Sequence, residues 1–136
     1  MKILLDTDIV SYLMRDRLPG PKHRMKSFAA GEVAMSAISL AELRFGTHRR
    51  NSARNRQVLD RFASLLVVAP FDAPAAAVYG EIRTLLERNG TPIGPLDMLI
   101  AAQAIALNVP LATNNLREFR RVPGLRVENW LAEKKQ

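Results

Sequence analysis

The sequence predicts an α/β fold in which helices cover both faces of a mainly parallel sheet. Three observations carry that expectation. Apolar runs of three or four residues alternate along the chain with longer stretches at helical spacing. Gly, Pro and Asn mark the joints between them. The 136 residues, 48% hydrophobic and without cysteine, contain no repeat, low-complexity tract or linker. Residues 1–136 therefore read as a single domain, large enough to bury a core without disulfide or metal staples.

Ile3-Leu4-Leu5 is the first strand, and Thr7 or Asp8 is placed to cap a helix through Ile9, Val10, Leu13 and Met14. Leu18-Pro19-Gly20-Pro21 breaks the chain, a basic helix is expected from Lys22 to Ala30, and Val33-Ala34-Met35 is a second strand. Ser39-Leu40-Ala41-Glu42 matches a capping box, which puts a helix start near Ser39. Beyond Gly46, an arginine-rich helix carrying Val58, Leu59, Phe62 and Leu65 runs into strand Leu66-Val67-Val68-Ala69. A helix from Ala73 to Arg88 stops at Asn89-Gly90. Gly94-Pro95 opens another, Leu96 to Leu107, because proline is tolerated where the first-turn N–H groups lack partners anyway. Strand Leu111-Ala112-Thr113 follows, then a Pro123-Gly124 turn, a short strand near Val127 and a C-terminal piece with Trp130.

No export or membrane segment is expected. The N-terminal apolar run meets Asp6 too early for a signal peptide. The longest uncharged run, Met98 to Leu116, contains Gln103, Asn108, Pro110, Asn114 and Asn115, and reads as a buried helix, a turn and a strand. The absence of cysteine fits a reducing compartment and excludes thiolate chemistry.

Charge is uneven. The net charge is +7; residues 1–61 hold 12 Lys and Arg against 6 Asp and Glu, and residues 62–136 hold 8 against 7. The excess peaks at Arg44, Arg49, Arg50, Arg54, Arg56 and Arg61, opposed only by Asp60. Such a cluster is either the footprint of a polyanionic partner or a solvated helix face. Aromatic residues make up only 6%, so base stacking is not the obvious mode of contact.

Parallel α/β sheets bind ligands beyond the carboxyl ends of their strands, which draws attention to the acids there. Asp6 follows the first strand, Glu42 lies in the helix after the second, and Asp97 opens the helix after Gly94-Pro95. Converging carboxylates repel one another without a cation, and an all-oxygen site suits Mg²⁺ or Mn²⁺. Each acid also has a structural reading: Glu42 as the capping partner of Ser39, Asp97 as a first-turn residue favoured by the helix dipole, Asp6 and Asp8 as caps. The set outweighs its members. Asp97 in particular sits in an otherwise uncharged stretch, where an unpaired carboxylate is costly.

The ordered motifs Leu5-Asp6-Thr7-Asp8, Ser36-Ala37-Ile38-Ser39-Leu40-Ala41-Glu42-Leu43, Asp97-Met98-Leu99-Ile100-Ala101-Ala102 and Ala112-Thr113-Asn114-Asn115 with Arg117-Glu118-Phe119 span nearly the whole chain. In order and spacing they resemble the PIN-domain ribonucleases and, more narrowly, the VapC toxins of type II toxin–antitoxin pairs. The resemblance implies a PIN-like three-layer α/β/α sandwich and a Mg²⁺-dependent endoribonuclease in which Mn²⁺ substitutes. It also implies a cytoplasmic homodimer, built into a larger complex and inhibited by a cognate VapB-type antitoxin. By position, Asp6, Glu42 and Asp97 match the acidic metal-binding residues, and Thr113 matches the hydroxyl of the fourth motif. The further acid of that motif is replaced by Asn115, leaving Asn115 or Glu118 as the fourth ligand. Ser36, Ser39, Arg44, Arg49, Arg50 and Asn114 are the residues expected to meet substrate. The stretches Gly90–Asp97 and Arg117–Leu125 resemble the branch that cuts initiator tRNA in its anticodon loop, which makes tRNA the expected substrate.

Two alternatives come from other classes. Asp6-Thr7-Asp8 after an apolar strand also fits a haloacid-dehalogenase-like phosphatase with Asp6 as nucleophile, although no lysine lies between Lys26 and Lys134 to assist. A basic module that holds RNA or protein without cutting would explain the arginines and the missing fourth acid.

Overall fold

The structure is a computed structural model that describes residues 1–15 and 19–131. Its elements, in chain order, are β1 (Ile3–Leu5), α1 (Thr7–Arg15), α2 (Pro19–Lys26), β2 (Val33–Ser36), α3 (Ala37–Arg49), α4 (Ala53–Ser64), β3 (Val67–Ala69), α5 (Ala73–Arg88), α6 (Pro95–Leu107), β4 (Leu111–Ala112), α7 (Leu116–Phe119) and β5 (Val127–Glu128).

The five strands form one parallel sheet in the order β3-β2-β1-β4-β5. All three residues of β1 are fully buried because both faces of the sheet are covered, which is why the strand reads as an unbroken apolar run. Their pleat divides them between two cores. Leu4 packs with Leu86, Ile100, Leu111 and Phe119 on the α5–α6 side. Ile3 and Leu5 pack with Ile9, Val10, Met35 and Trp130 on the other. The result is the expected three-layer α/β/α sandwich. β1 lies at the centre, with β2 on one side and β4 on the other. That reversal of strand order is the switch point at which the crevice of a doubly wound sheet opens, and Asp6 is the residue that leaves β1 there.

Two helix starts are informative, the first choosing among the caps the sequence offers and the second differing from expectation. Asp6 itself caps α1: its Oδ1 accepts the Ile9 N–H at 2.9 Å, so Thr7 and Asp8 belong to the first turn. Ser36 caps α3 by accepting the Ile38 N–H at 2.9 Å, three residues before the Ser39-Glu42 capping box. Ser39 and Glu42 thus sit inside the helix, with their side chains turned to other work.

The basic helix spans Pro19–Lys26 instead of Lys22 to Ala30, because proline fits a first turn as well as a break; Leu18 of the expected break lies outside the described residues. Helix α5 has the expected limits, capped by Asp72 and followed by Gly90 at φ +67°. Helix α6 ends at Asn108 in the left-handed conformation, and α7 is an additional short helix. No helix among the described residues is long and apolar enough to cross a membrane.

Candidate active site

The sheet edge beyond β1 and β4 gathers the acids. The Asp6 N–H is fixed to Ala112 O at 3.0 Å, the last bond between the two strands before they part. Its side chain is buried, 4% exposed, with Oδ1 on the Ile9 N–H and Oδ2 accepting the Thr113 hydroxyl at 2.5 Å. Thr113 is fully buried, and its Oγ1 accepts the Asn115 N–H at 2.9 Å. With its acceptor side engaged by the backbone, the hydroxyl presents its one proton to Asp6. Burial raises the Asp6 pKa to about 6; the bonds from Thr113 and Ile9 oppose the shift, and the neighbouring Asp8 charge adds to it.

Asp97 arrives from the first turn of α6, where Gly94 and Pro95 begin the helix. Its pKa is raised to about 8, first by burial, then by a hydrogen bond with the Glu118 carboxyl, and then by the charges of Glu118, Asp6 and Glu42. Asp97 thus feels every other acid of the cluster. Glu118 comes from α7, and its Oε1 is buried with no hydrogen-bond partner among the described residues. A Cβ on Gly94 would lie 3.3 Å from Asp97 Oδ2 and 3.8 Å from Glu118 Oε1, so the bare glycine backbone keeps the space beside both carboxyls open.

Glu42 approaches from α3. Thr7 Oγ1 lies 2.6 Å from Glu42 Oε1 and 2.9 Å from Ser39 Oγ. A hydroxyl has one proton, and the short contact to the carboxylate takes it, leaving Ser39 to donate to Thr7. The chain Ser39–Thr7–Glu42 fixes the carboxylate and leaves Oε2 free of protein partners among the described residues.

Several expected site residues have other places. Ser36 is wholly buried as the α3 cap, and Ser39 is wholly buried against Thr7, so neither is exposed at the surface. Arg44 is engaged by Asp60. Arg49 lies over the exposed Phe45 ring, 5.5 Å from its centroid. Arg50 lines a groove beside Glu42, and Asn114 is exposed just after β4. Asn115 supplies a backbone N–H to Thr113 and leads into α7; the fourth acid beside Asp97 is Glu118, because the short helix turns it back inward. The sequence offers Thr7 only as a helix cap and Arg54 only as a member of the basic cluster; the bond from Thr7 to Glu42 and the place of Arg15 in the groove have no local signal in it.

Among the described residues, no three His, Cys, Asp or Glu side chains are gathered closely enough to hold a metal as they stand. The cluster nonetheless fits a divalent cation. Its donors are hard oxygens, one buried carboxyl oxygen lacks a partner among the described residues, and burial raises the pKa of both Asp6 and Asp97, with the neighbouring acids raising Asp97 further, a cost that a cation would relieve. Both oxygens of Asp6 accept one hydrogen bond each, which holds the carboxylate in a fixed orientation and leaves each oxygen a second lone pair.

Comparison with known proteins gives a consistent picture. The model of the PIN domain family matches residues 3–125. The chain is 40% identical over 132 residues to Ribonuclease VapC2 of Rickettsia felis, covering 96% of this chain and 98% of that protein. It is 38% identical over 133 residues to the tRNA(fMet)-specific endonuclease VapC of Salmonella typhimurium, again covering 96% and 98%. Among solved structures, VapBC2 from Rickettsia felis bound to a promoter DNA fragment superimposes with a TM-score of 0.89 at 39% identity, covering 96% of this chain and 99% of that one. DNA-bound VapBC from Salmonella typhimurium gives 0.89 at 37% identity, covering 96% and 98%.

Proposed function

This chain belongs to the PIN-domain family, as an endoribonuclease of the VapC kind, and on that footing we propose that it cuts tRNA, with initiator tRNA as the favoured target, in a reaction that depends on Mg²⁺. Asp6, Asp97 and Glu118 would hold the cation, with Glu42 at its margin. The bound ion supplies charge neutralisation at the phosphate and a more acidic water. The reading is supported by the position of Asp97 at the start of α6, where the charges of Glu118, Asp6 and Glu42 all act on it.

The chain's own groups do the rest. Thr113 and the Ile9 N–H hold Asp6 in one orientation, so the site does not reorganise when charge develops. Glu42 Oε1 is fixed by Thr7, and its other oxygen would orient the attacking water and take its proton. The water oxygen forms a bond to phosphorus, the bond from phosphorus to the 3′ oxygen breaks, and that oxygen leaves with a proton. The products carry a 5′-phosphate and a 3′-hydroxyl, and the 2′-hydroxyl takes no part. Sequencing of both product ends tests this route: a 2′,3′-cyclic phosphate contradicts it.

The partner we propose is a VapB-type antitoxin, supported by relatives whose solved structures are VapBC complexes, and the place of action is the cytoplasm. A homodimer is part of the reading. Phe45 on α3 and Leu96 on α6, 65% and 43% exposed, are large apolar side chains for a second copy to cover. Light scattering on the free chain at micromolar concentration decides it, with twice the 15.2 kDa chain mass expected.

A further inference from the structure

A groove of about 370 Å³ runs between α1, α3 and α4. Its floor includes Met14, Leu43 and Val58, and Arg15, Arg50 and Arg54 line its sides. Glu42 lines this groove and its charge also acts on Asp97, which places the groove beside the acid cluster. We propose that the groove seats the single-stranded RNA backbone flanking the scissile bond, with Arg15, Arg50 and Arg54 contacting its phosphates. The proposal rests on the ribonuclease reading and adds the path of the substrate to it.

Three observations support that occupant. Charge comes first: three guanidiniums converge on one groove, and among the described residues none of them forms an ion pair. Elsewhere in the basic segment Arg44 is tied to Asp60, so the cluster seen in the sequence divides into engaged and available members. The floor comes second: apolar side chains beneath a cationic rim suit a strand whose phosphates face the rim and whose sugars and bases face inward. Depth is the third. Asp6 is only 4% exposed, and a duplex, with phosphates on a broad cylinder, cannot lower one of them to that carboxyl while its neighbours lie in the groove. A single strand can. The Arg50–Arg54 pair also spans the joint between α3 and α4, which fixes two contacts at the junction of two rigid elements.

The test uses the free full-length chain in EDTA, so that binding is read without cutting. The probe is a fluorescein-labelled single-stranded RNA 20-mer of mixed sequence, compared with its duplex, and anisotropy is followed from low to moderate salt. In the Arg50→Gln/Arg54→Gln variant, single-strand affinity should fall about tenfold, and the slope of log K against log salt should shrink by about 1.4, at ~0.7 per lost phosphate contact. The Arg50→Lys/Arg54→Lys variant should restore most of the slope. Arg83→Gln, on α5 in the opposite layer and paired with Glu87, should change neither quantity. Both substituted arginines are exposed, and unchanged far-UV circular dichroism verifies the fold.

The proposal is overturned if the double variant keeps the wild-type slope, if Arg83→Gln lowers it equally, or if the only loss is inhibition by the antitoxin, which would make the groove a protein-docking site. Failure of the ribonuclease reading looks different: wild-type protein would bind this RNA with the expected salt slope and leave total tRNA intact in Mg²⁺.

Discussion

The Glu118 carboxyl is hydrogen-bonded to that of Asp97, with one Glu118 oxygen buried beside Gly94 and without a hydrogen-bond partner among the described residues. Two helices separated in sequence by β4 therefore bring a pair of acids to one point. Such a pair is tolerable without a cation only while it shares a proton.

Removing one member should remove a metal ligand without unfolding the protein. Glu118→Gln is expected to raise the Asp97-dependent Mg²⁺ requirement about 10–100-fold in cleavage assays and to leave the melting temperature unchanged or higher. Titration of activity against Mg²⁺ reads this directly. An unaltered Mg²⁺ dependence would return the fourth position to Asn115.

The raised carboxyls also set a pH dependence for the metal-free protein. Asp6 at about 6 and Asp97 at about 8 bind protons in the folded state that the unfolded chain, with the ordinary value of 3.8, has already lost at those pH values. Their contribution is therefore fully present below about pH 4 and declines as the pH rises through 6 and then 8. Mg²⁺ should raise the melting temperature more at pH 8.5 than at pH 5.5, and its binding at pH 7 should release protons, which calorimetry in buffers of different ionisation enthalpy detects.

Thr113→Val keeps the shape of the side chain and deletes the proton given to Asp6. Because Asp6 is buried, the loss should cost about 1–3 kcal/mol in stability and about 10–100-fold in activity, whereas Thr113→Ser should retain most of both. Urea unfolding and initial rates on the same preparations make the comparison.

Much of this architecture is written in the sequence at the level of elements. β1 follows from its unbroken apolar run, and α5 and α6 from their apolar residues and from Pro, Asn and Gly at their ends, signals that are local. The start of α3 is ambiguous in the sequence because Ser36 and Ser39 both satisfy the same local rule; only the contact of Ser39 with Thr7, from another helix, distinguishes them. Asp6, Glu42 and Asp97 stand out by their positions at strand ends and helix starts. Glu118 does not, since its inward turn depends on a four-residue helix too short to carry a periodic signal. The arginines divide into paired and available ones by contacts between α3 and α4 that spacing along the chain does not encode.

Thr7 predicts a separable effect. Thr7→Val frees the Glu42 carboxylate while Asp6 and Asp97 keep their own partners. Turnover should fall about tenfold or more with little change in KM, and Thr7→Ser should recover it, because the hydroxyl acts through Glu42 and touches no substrate.

Gly94→Ala probes the open space beside the acids. The backbone at Gly94, φ −55° and ψ 143°, is available to alanine, so the added methyl acts only through its contact 3.3 Å from Asp97 Oδ2. Weaker Mg²⁺ binding with an unchanged circular dichroism spectrum is the expected outcome, read by calorimetry.

The central claim, that acids converging on Asp97 make this chain a metal-dependent ribonuclease, is tested most directly on purified wild type and Asp97→Asn. Both are freed of antitoxin and incubated with total tRNA in Mg²⁺, Mn²⁺ or EDTA, and the cut ends are mapped. The account predicts discrete cuts by wild type with either metal, none in EDTA and none by the variant. Cuts that persist in EDTA or in Asp97→Asn, or intact tRNA from folded wild type in Mg²⁺, would contradict it.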